Sequence, residues 1–194
     1  MNTFASQDIL EQVRLIVCDV DGVLSDGKLY YGNDGIEIKN FNVKDGLGIR
    51  MAVDFGLPIV FLTGRRSAAV TTRAEELGAT LYDGVQNKAL AIKEIAENFH
   101  IRLSNIAYIG DDINDLLAMR LVGLPVAVND ATNEIKKIAC FVTTLKGGDG
   151  AVREVIEHVL RAQGVLRDAL FQFIEKLEQD VDTDYKGRQE ESNQ

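Results

Sequence analysis

The sequence predicts an α/β protein built on a doubly wound, mainly parallel sheet. Three observations carry that expectation. Short apolar runs alternate with helical patterns along most of the 194 residues, as successive strand–helix units require. A hydrophobic content of 46% at this length supplies one well-buried core and leaves little room for a second domain. Acidic and hydroxyl-bearing residues follow several of the apolar runs directly, and the carboxyl ends of the strands are where such sheets bind ligands.

Strands are expected near 14–18, 58–62, 79–82, 106–109, 125–128 and 140–143, separated by helices near 45–55, 67–77, 88–99, 113–120, 132–138 and 150–162. Pro58 and Pro125 open two of the strands, where a missing N–H is tolerated. One segment breaks the alternation. Residues 28–31 and 36–39 flank Gly32-Asn33-Asp34-Gly35, which reads as a β-hairpin of about 27–41 turning at Asp34-Gly35. The pattern is therefore a Rossmann-like sheet with a hairpin inserted after its first strand. Past residue 163, Leu166, Leu170, Phe173, Ile174 and Leu177 share one helical face, and residues 182–194 form a polar tail. That helix must pack on its own body or on a neighbouring subunit. The expected organisation is one domain over 1–163, then a C-terminal helix and tail over 164–194.

A net charge of −9 and a pI near 4.8 oppose general attraction to nucleic acid or anionic membranes. Residues 1–8 lack a basic segment followed by an apolar run, and no apolar run approaches membrane-spanning length. A cytoplasmic protein is expected, with small molecules, metal ions and copies of itself as partners. Cys18 and Cys140 are the two cysteines, too few for a four-thiolate zinc site, and their apolar surroundings make them core residues. His100 and His158 read as surface or packing residues.

Chemistry concentrates at strand ends. Asp19-Val20-Asp21-Gly22 follows the run Leu15-Ile16-Val17-Cys18. One carboxylate there can attack phosphorus, the other can carry a proton, and a divalent cation can offset their repulsion of a phosphate. Gly110-Asp111-Asp112-Ile113-Asn114-Asp115 follows Ile106-Ala107-Tyr108-Ile109. If the two strands are neighbours, their carboxylates form the oxygen-rich site that Mg²⁺ prefers. A calcium loop is excluded. Counted from Asp19, the glycine and glutamate positions of an EF-hand hold Leu24 and Tyr30; counted from Asp112, they hold Leu117 and Gly123. Taken singly, Asp111 or Asp112 is equally well an N-cap. Thr63-Gly64-Arg65 ends another strand, where a hydroxyl and helix N–H groups can receive a phosphate. Lys88 opens a helix, an electrostatically unfavourable place unless an anion lies nearby.

These four stations, in this order, resemble the haloacid dehalogenase superfamily of phosphotransferases. The resemblance runs from about residue 15 to 163. It implies that Asp19 is the nucleophile forming an aspartyl-phosphate and that Asp21 is the general acid/base. It also implies that Thr63, with Gly64 and Arg65, and Lys88 hold the phosphoryl group. Asp111 would bind Mg²⁺ with Asp19 and the Asp21 main-chain carbonyl, supported by Asp112. Members of the superfamily often insert a cap domain, but the first gap here holds only the hairpin, and the 24 residues between Thr63 and Lys88 are used by one helix and one strand. No cap fits.

The hairpin, Lys44-Asp45-Gly46-Leu47-Gly48-Ile49 and Gly147-Gly148-Asp149-Gly150 are similar to the 3-deoxy-D-manno-octulosonate 8-phosphate phosphatases. That similarity implies a homotetramer acting on a phosphorylated sugar acid in lipopolysaccharide precursor synthesis. Asp149 stands where this family commonly carries a basic residue, and Lys146 and Arg65 are the candidates to replace its charge. Phosphatases for related nonulosonate 9-phosphates remain close alternatives. A phospho-receiver domain also uses acidic strand ends, a Thr and a Lys, but its phosphorylated Asp lies on a later strand than the acidic pair. A non-catalytic module of the same fold is the other competitor, and the presence of Asp19, Asp21, Thr63, Lys88 and Asp111 argues against it.

Overall fold

In the computed structural model, the described residues are 6–33 and 36–191. The hairpin turn expected at Asp34-Gly35 lies outside them. All six expected sheet strands form: β1 (Leu15–Cys18), β4 (Ile59–Leu62), β5 (Thr80–Tyr82), β6 (Ile106–Gly110), β7 (Leu124–Ala127) and β8 (Phe141–Val142). They make one sheet in the order β5-β4-β1-β6-β7-β8, with every pairing parallel. β1, β4, β6 and β7 are buried along their whole length. Helices on both faces of a parallel sheet demand this, and it explains why these strands read as unbroken apolar runs.

The hairpin strands β2 (Tyr30–Tyr31) and β3 (Glu37–Ile38) pair antiparallel in the register Tyr30–Ile38 and Tyr31–Glu37. They are shorter than the sequence suggests and stand apart from the main sheet. The helices are α1 (Gln7–Glu11), α2 (Val43–Asp54), α3 (Ala68–Leu77), α4 (Lys88–Asn98), α5 (Leu116–Met119), α6 (Asn133–Ile138), α7 (Ala151–Ala162) and α8 (Leu166–Glu191). α1 is too short for its periodicity to be read. α7 shows how the layers close: Val152, Val155, Ile156, Val159 and Leu160 make one fully buried stripe. Residues 113–120 do not form the single helix expected. A 3₁₀ turn over Ile113–Asp115 precedes α5, with Asp115 turned inward and buried.

Among the described residues no cap domain is present. The hairpin fills the gap between β1 and α2, while α3 and β5 fill that between β4 and α4. Cys18 is fully buried and Cys140 half-buried against the core. His100 is exposed, and the His158 ring packs edge-on against Phe141 with centroids 5.1 Å apart. α8 docks its first turns through buried Ala169, half-buried Phe173 and the Lys176–Asp54 ion pair at 2.8 Å, leaving Leu170, Ile174 and Leu177 of its apolar face exposed. No helix among the described residues is long and apolar enough to cross a membrane.

Candidate active site

The strand order reverses at β1: β4 and β5 extend to one side, β6 to β8 to the other. The crevice at the carboxyl end therefore opens beside β1. Cys18 is in register with Ile109 of β6 and Phe61 of β4, so Asp19, Thr63 and Asp111 emerge side by side. They line one cavity of about 470 Å³ together with Asp21, Gly64, Arg65, Asp112, Ile113 and Asn114. A larger cleft of about 610 Å³ lies at the opposite end of the strands, beside Val13, Leu57 and Gln163. It lacks the convergent carboxylates that phosphate chemistry needs.

Lys88 lies beneath the cavity and is almost wholly buried. Its ammonium bridges Asp19 Oδ1 at 2.8 Å and Asp115 Oδ1 at 2.7 Å. The misplaced lysine at the start of α4 thus finds its anions across the sheet. Asp115 also accepts from the Tyr108 hydroxyl at 2.8 Å and, through Oδ2, from the Asp111 N–H at 3.0 Å. Both its oxygens are occupied, so it braces the site.

Asp19 is nearly buried, and its Oδ1 also accepts from the Val20 N–H at 2.7 Å. Burial first, then the Asp115 charge, pushes its carboxyl up to about 7 against the opposing pull of Lys88. Burial, followed by Asp19 and Asp115, pushes Asp111 up to about 8. One oxygen from each of Asp19, Asp111 and Asp115 lies within 4.8 Å of the others. Asp115 is already engaged by Lys88, Tyr108 and the Asp111 N–H, so Asp19 and Asp111 are the side chains better placed to hold a cation, and an all-oxygen donor set suits Mg²⁺.

Two glycines make this packing possible. At Gly22 φ is +88°, and a Cβ there would lie 2.1 Å from an Asp111 carboxylate oxygen. At Gly110 a Cβ would meet the Asp115 side chain at 2.7 Å. The glycines of both acidic motifs are thus requirements of close approach.

The remaining expected residues divide. The Thr63 hydroxyl sits at the end of β4 and accepts from the Arg65 N–H at 3.2 Å. Gly64 is exposed at the rim. Arg65 does not stand free: it pairs with Glu37 at 2.5 Å and with the Tyr31 hydroxyl at 2.9 Å, and its Nε lies 3.9 Å from Asp21. That Arg65 hydrogen bond is the main reason the Glu37 carboxyl is held down at about 2. Asp112 is exposed and caps the 3₁₀ turn through the Ile113 N–H at 2.7 Å. Asp149 and Lys146 are also exposed, and neither is among the residues lining the cavity.

The glycine-rich segment instead packs behind the β1 loop. Gly148 N–H donates to Val23 O at 2.8 Å, and a Cβ on Gly147 would lie 1.7 Å from the Gly22 carbonyl oxygen. Asp45 anchors the segment by accepting from Gly150 N–H at 3.1 Å and Arg153 N–H at 2.8 Å.

Sequence reasoning left Asp115, Tyr108, Glu37 and Lys39 without roles. For Asp115 a signal existed, since it lies four residues beyond Asp111 in the same acidic motif. For the hairpin pair there was none.

Comparison with known proteins places this arrangement. Residues 81–156 match the model of a haloacid dehalogenase-like hydrolase family. The chain is 47% identical over 165 residues to the 3-deoxy-D-manno-octulosonate 8-phosphate phosphatase KdsC of Escherichia coli K12, covering 84% of this chain and 88% of that protein. The chain belongs to the 3-deoxy-D-manno-octulosonate 8-phosphate phosphatase family. Family structures agree in fold. The Yersinia pestis phosphatase superposes with a TM-score of 0.81 at 44% identity, covering 83% of this chain and 88% of that one. The Moraxella catarrhalis family member, solved with magnesium, phosphate and a KDO molecule, gives 0.83 at 38% identity, covering 86% and 97%.

Proposed function

We propose that this protein is a Mg²⁺-dependent phosphatase that hydrolyses 3-deoxy-D-manno-octulosonate 8-phosphate to the free sugar acid and phosphate, in lipopolysaccharide precursor synthesis. The observation that carries this reading is the convergence of Asp19, Asp21, Thr63 and Asp111 on one cavity, with Lys88 ion-paired to Asp19 beneath it. The family relationship supplies the substrate. Residues 1–163 carry the chemistry, and the stretch from residue 164 onward, which includes α8, is an appendage to it. The enzyme acts as a cytoplasmic homotetramer, and the exposed Leu29, Tyr30, Tyr31, Ile36 and Ile38 of the hairpin region support self-association.

An Asp19 carboxylate oxygen forms a bond to phosphorus as the bond from phosphorus to the sugar oxygen breaks. Asp21 gives its proton to that departing oxygen. Asp21, now a carboxylate, takes a proton from a water whose oxygen attacks the aspartyl-phosphate, releasing inorganic phosphate and restoring Asp19. Thr63 and the Gly64 backbone receive the phosphoryl oxygens, while Lys88 fixes the position of Asp19 and adds positive charge. Asp19, Asp111 and the Asp21 carbonyl would hold Mg²⁺, with Asp112 supporting at the rim; when bound, the cation offsets the repulsion between nucleophile and phosphate dianion.

A panel of sugar phosphates with Mg²⁺ tests the assignment. Phosphate release is expected from the octulosonate 8-phosphate above all others. Release from a nonulosonate 9-phosphate instead would move the substrate but keep the chemistry, and no release from any phosphate ester would favour a non-catalytic module.

The raised carboxyls also link metal and pH. Asp19 and Asp111 ionise in the fold only near 7 and 8, against 3.8 ordinarily. The metal-free fold thus retains protons that the unfolded chain releases. Their stabilising contribution is complete below about pH 4 and is lost as pH rises through 7 to 8. A bound cation replaces those protons. In thermal melts, Mg²⁺ is expected to raise the midpoint more at pH 8 than at pH 6, and equal gains would remove Asp19 and Asp111 as its ligands.

A further inference from the structure

Asp21 is held by a residue of the hairpin. Lys39 follows β3, and its side chain is only 1% exposed, a burial that lysine reaches almost solely when paired. Its ammonium donates to Asp21 Oδ1 and lies 3.0 Å from Glu37 Oε1. The other Glu37 oxygen holds Arg65 at 2.5 Å, and Arg65 in turn faces Asp21 Oδ2 at 3.9 Å. The Asp21 carboxylate is thus hydrogen-bonded by Lys39 at one oxygen and faced by the Arg65 charge at the other. Lys39 and Glu37 come from the hairpin, and Arg65 comes from the turn after β4. The Asp19 cluster has a separate brace in Lys88 and Asp115.

We propose that Lys39 is the positioning residue for the acid/base carboxylate Asp21, and that the hairpin is therefore part of the catalytic machinery. The inference rests on the role given to Asp21 under the proposed function. An acid must lie within hydrogen-bond reach of the leaving oxygen when the ester bond breaks. A carboxylate on a loop, 23% exposed, samples several rotamers unless something fixes it. Lys39 supplies that restraint, Glu37 holds Lys39 in register, and the Arg65 guanidinium adds a longer charge contact at the second oxygen. A capless site thereby obtains from two short strands a restraint on its proton carrier. Asp19 does not depend on it, since no contact of Lys39 reaches the nucleophile among the described residues.

The consequence is selective. Loss of Lys39 impairs steps that need Asp21 and largely spares attack by Asp19. Departure of a sugar alkoxide needs a proton, whereas departure of p-nitrophenolate does not. Lys39→Met is expected to lower kcat on sugar phosphate about 10²-fold with little change in KM, matching the profile of Asp21→Asn. With p-nitrophenyl phosphate, the first-turnover release of nitrophenolate should fall far less, and the aspartyl-phosphate should accumulate and be trapped by acid quench. Lys39→Arg, which keeps a charged donor, should recover much of the lost kcat. Glu37→Gln, which loosens Lys39 without removing it, should show the same selectivity more weakly, and it keeps the test available if Lys39→Met does not fold.

If Asp21→Asn retains turnover on sugar phosphate, the acid/base reading itself fails. If Asp21→Asn loses turnover while the Lys39 and Glu37 variants keep it, the positioning role alone fails. Equal losses on the sugar and nitrophenyl esters in first-turnover rates would reduce Lys39 to a structural tie and overturn the proposal.

Discussion

Asp19→Asn is expected to lower turnover about 10⁴-fold or more, since removing the nucleophile of a covalent mechanism leaves only binding and electrostatic assistance. The fold should survive. The substitution keeps the side-chain volume and the carbonyl oxygen that accepts from the Val20 N–H, and it removes one negative charge from a crowded, buried group. Asp111 is raised in part by Asp19, so the variant should hold that carboxyl nearer its ordinary value and bind Mg²⁺ more weakly. Steady-state assays and acid-quench trapping of the phosphoenzyme check the first claim, and titration of Mg²⁺ against thermal midpoint checks the second. Appreciable turnover by Asp19→Asn would require a different nucleophile.

Lys88→Met carries the largest expected cost in stability. The ammonium bridges Asp19 and Asp115 in a buried setting, and removing one side of such a pair costs about 3–5 kcal/mol by stranding the charge left behind. The loss should depend on pH. Lys88 opposes the upward push on Asp19, so without it Asp19 ionises at still higher pH in the fold. Near pH 5 that carboxyl is protonated with or without Lys88, so little charge is stranded there; near pH 8 the pair is ionised and the cost is larger. Urea unfolding at the two pH values should show the smaller loss on the acid side, and a loss independent of pH would mean that the Lys88–Asp19 pair is not the cause. Activity should fall with the metal-free stability, because the same ammonium orients the attacking oxygen.

The parts of this site legible in the sequence are those fixed by chain order alone. Asp19, Thr63 and Asp111 each follow an apolar run, and a parallel sheet collects strand ends on one edge whatever the details of packing. Lys88 was legible only beside the other three motifs, since a lone lysine opening a helix reads first as a solvated surface residue; its partners, Asp19 and Asp115, lie 69 and 27 residues away. The contacts of Arg65 were not legible. Its neighbours Glu37 and Tyr31 sit on a hairpin whose inclination over the sheet follows from how its short strands meet the body, and no periodicity encodes that. The break between residues 113 and 120 was hidden too. The apolar spacing there suits a helix, but the inward turn of Asp115 toward Lys88 and Tyr108 imposes the tighter 3₁₀ winding first.

The contacts among Gly22, Asp111 and Gly147 bear on how such a site can change over generations. The loop after β1 carries the Asp111 carboxylate on one side and the glycine-rich segment on the other, with no room for a methyl group at either contact. Neither Gly22 nor Gly147 can accept a side chain alone; a tolerated change must arrive in concert with a second. Variation in substrate preference is therefore channelled away from this interlocked floor. It falls to the rim, where Gly64, Ile113 and Asn114 border the cavity and are exposed.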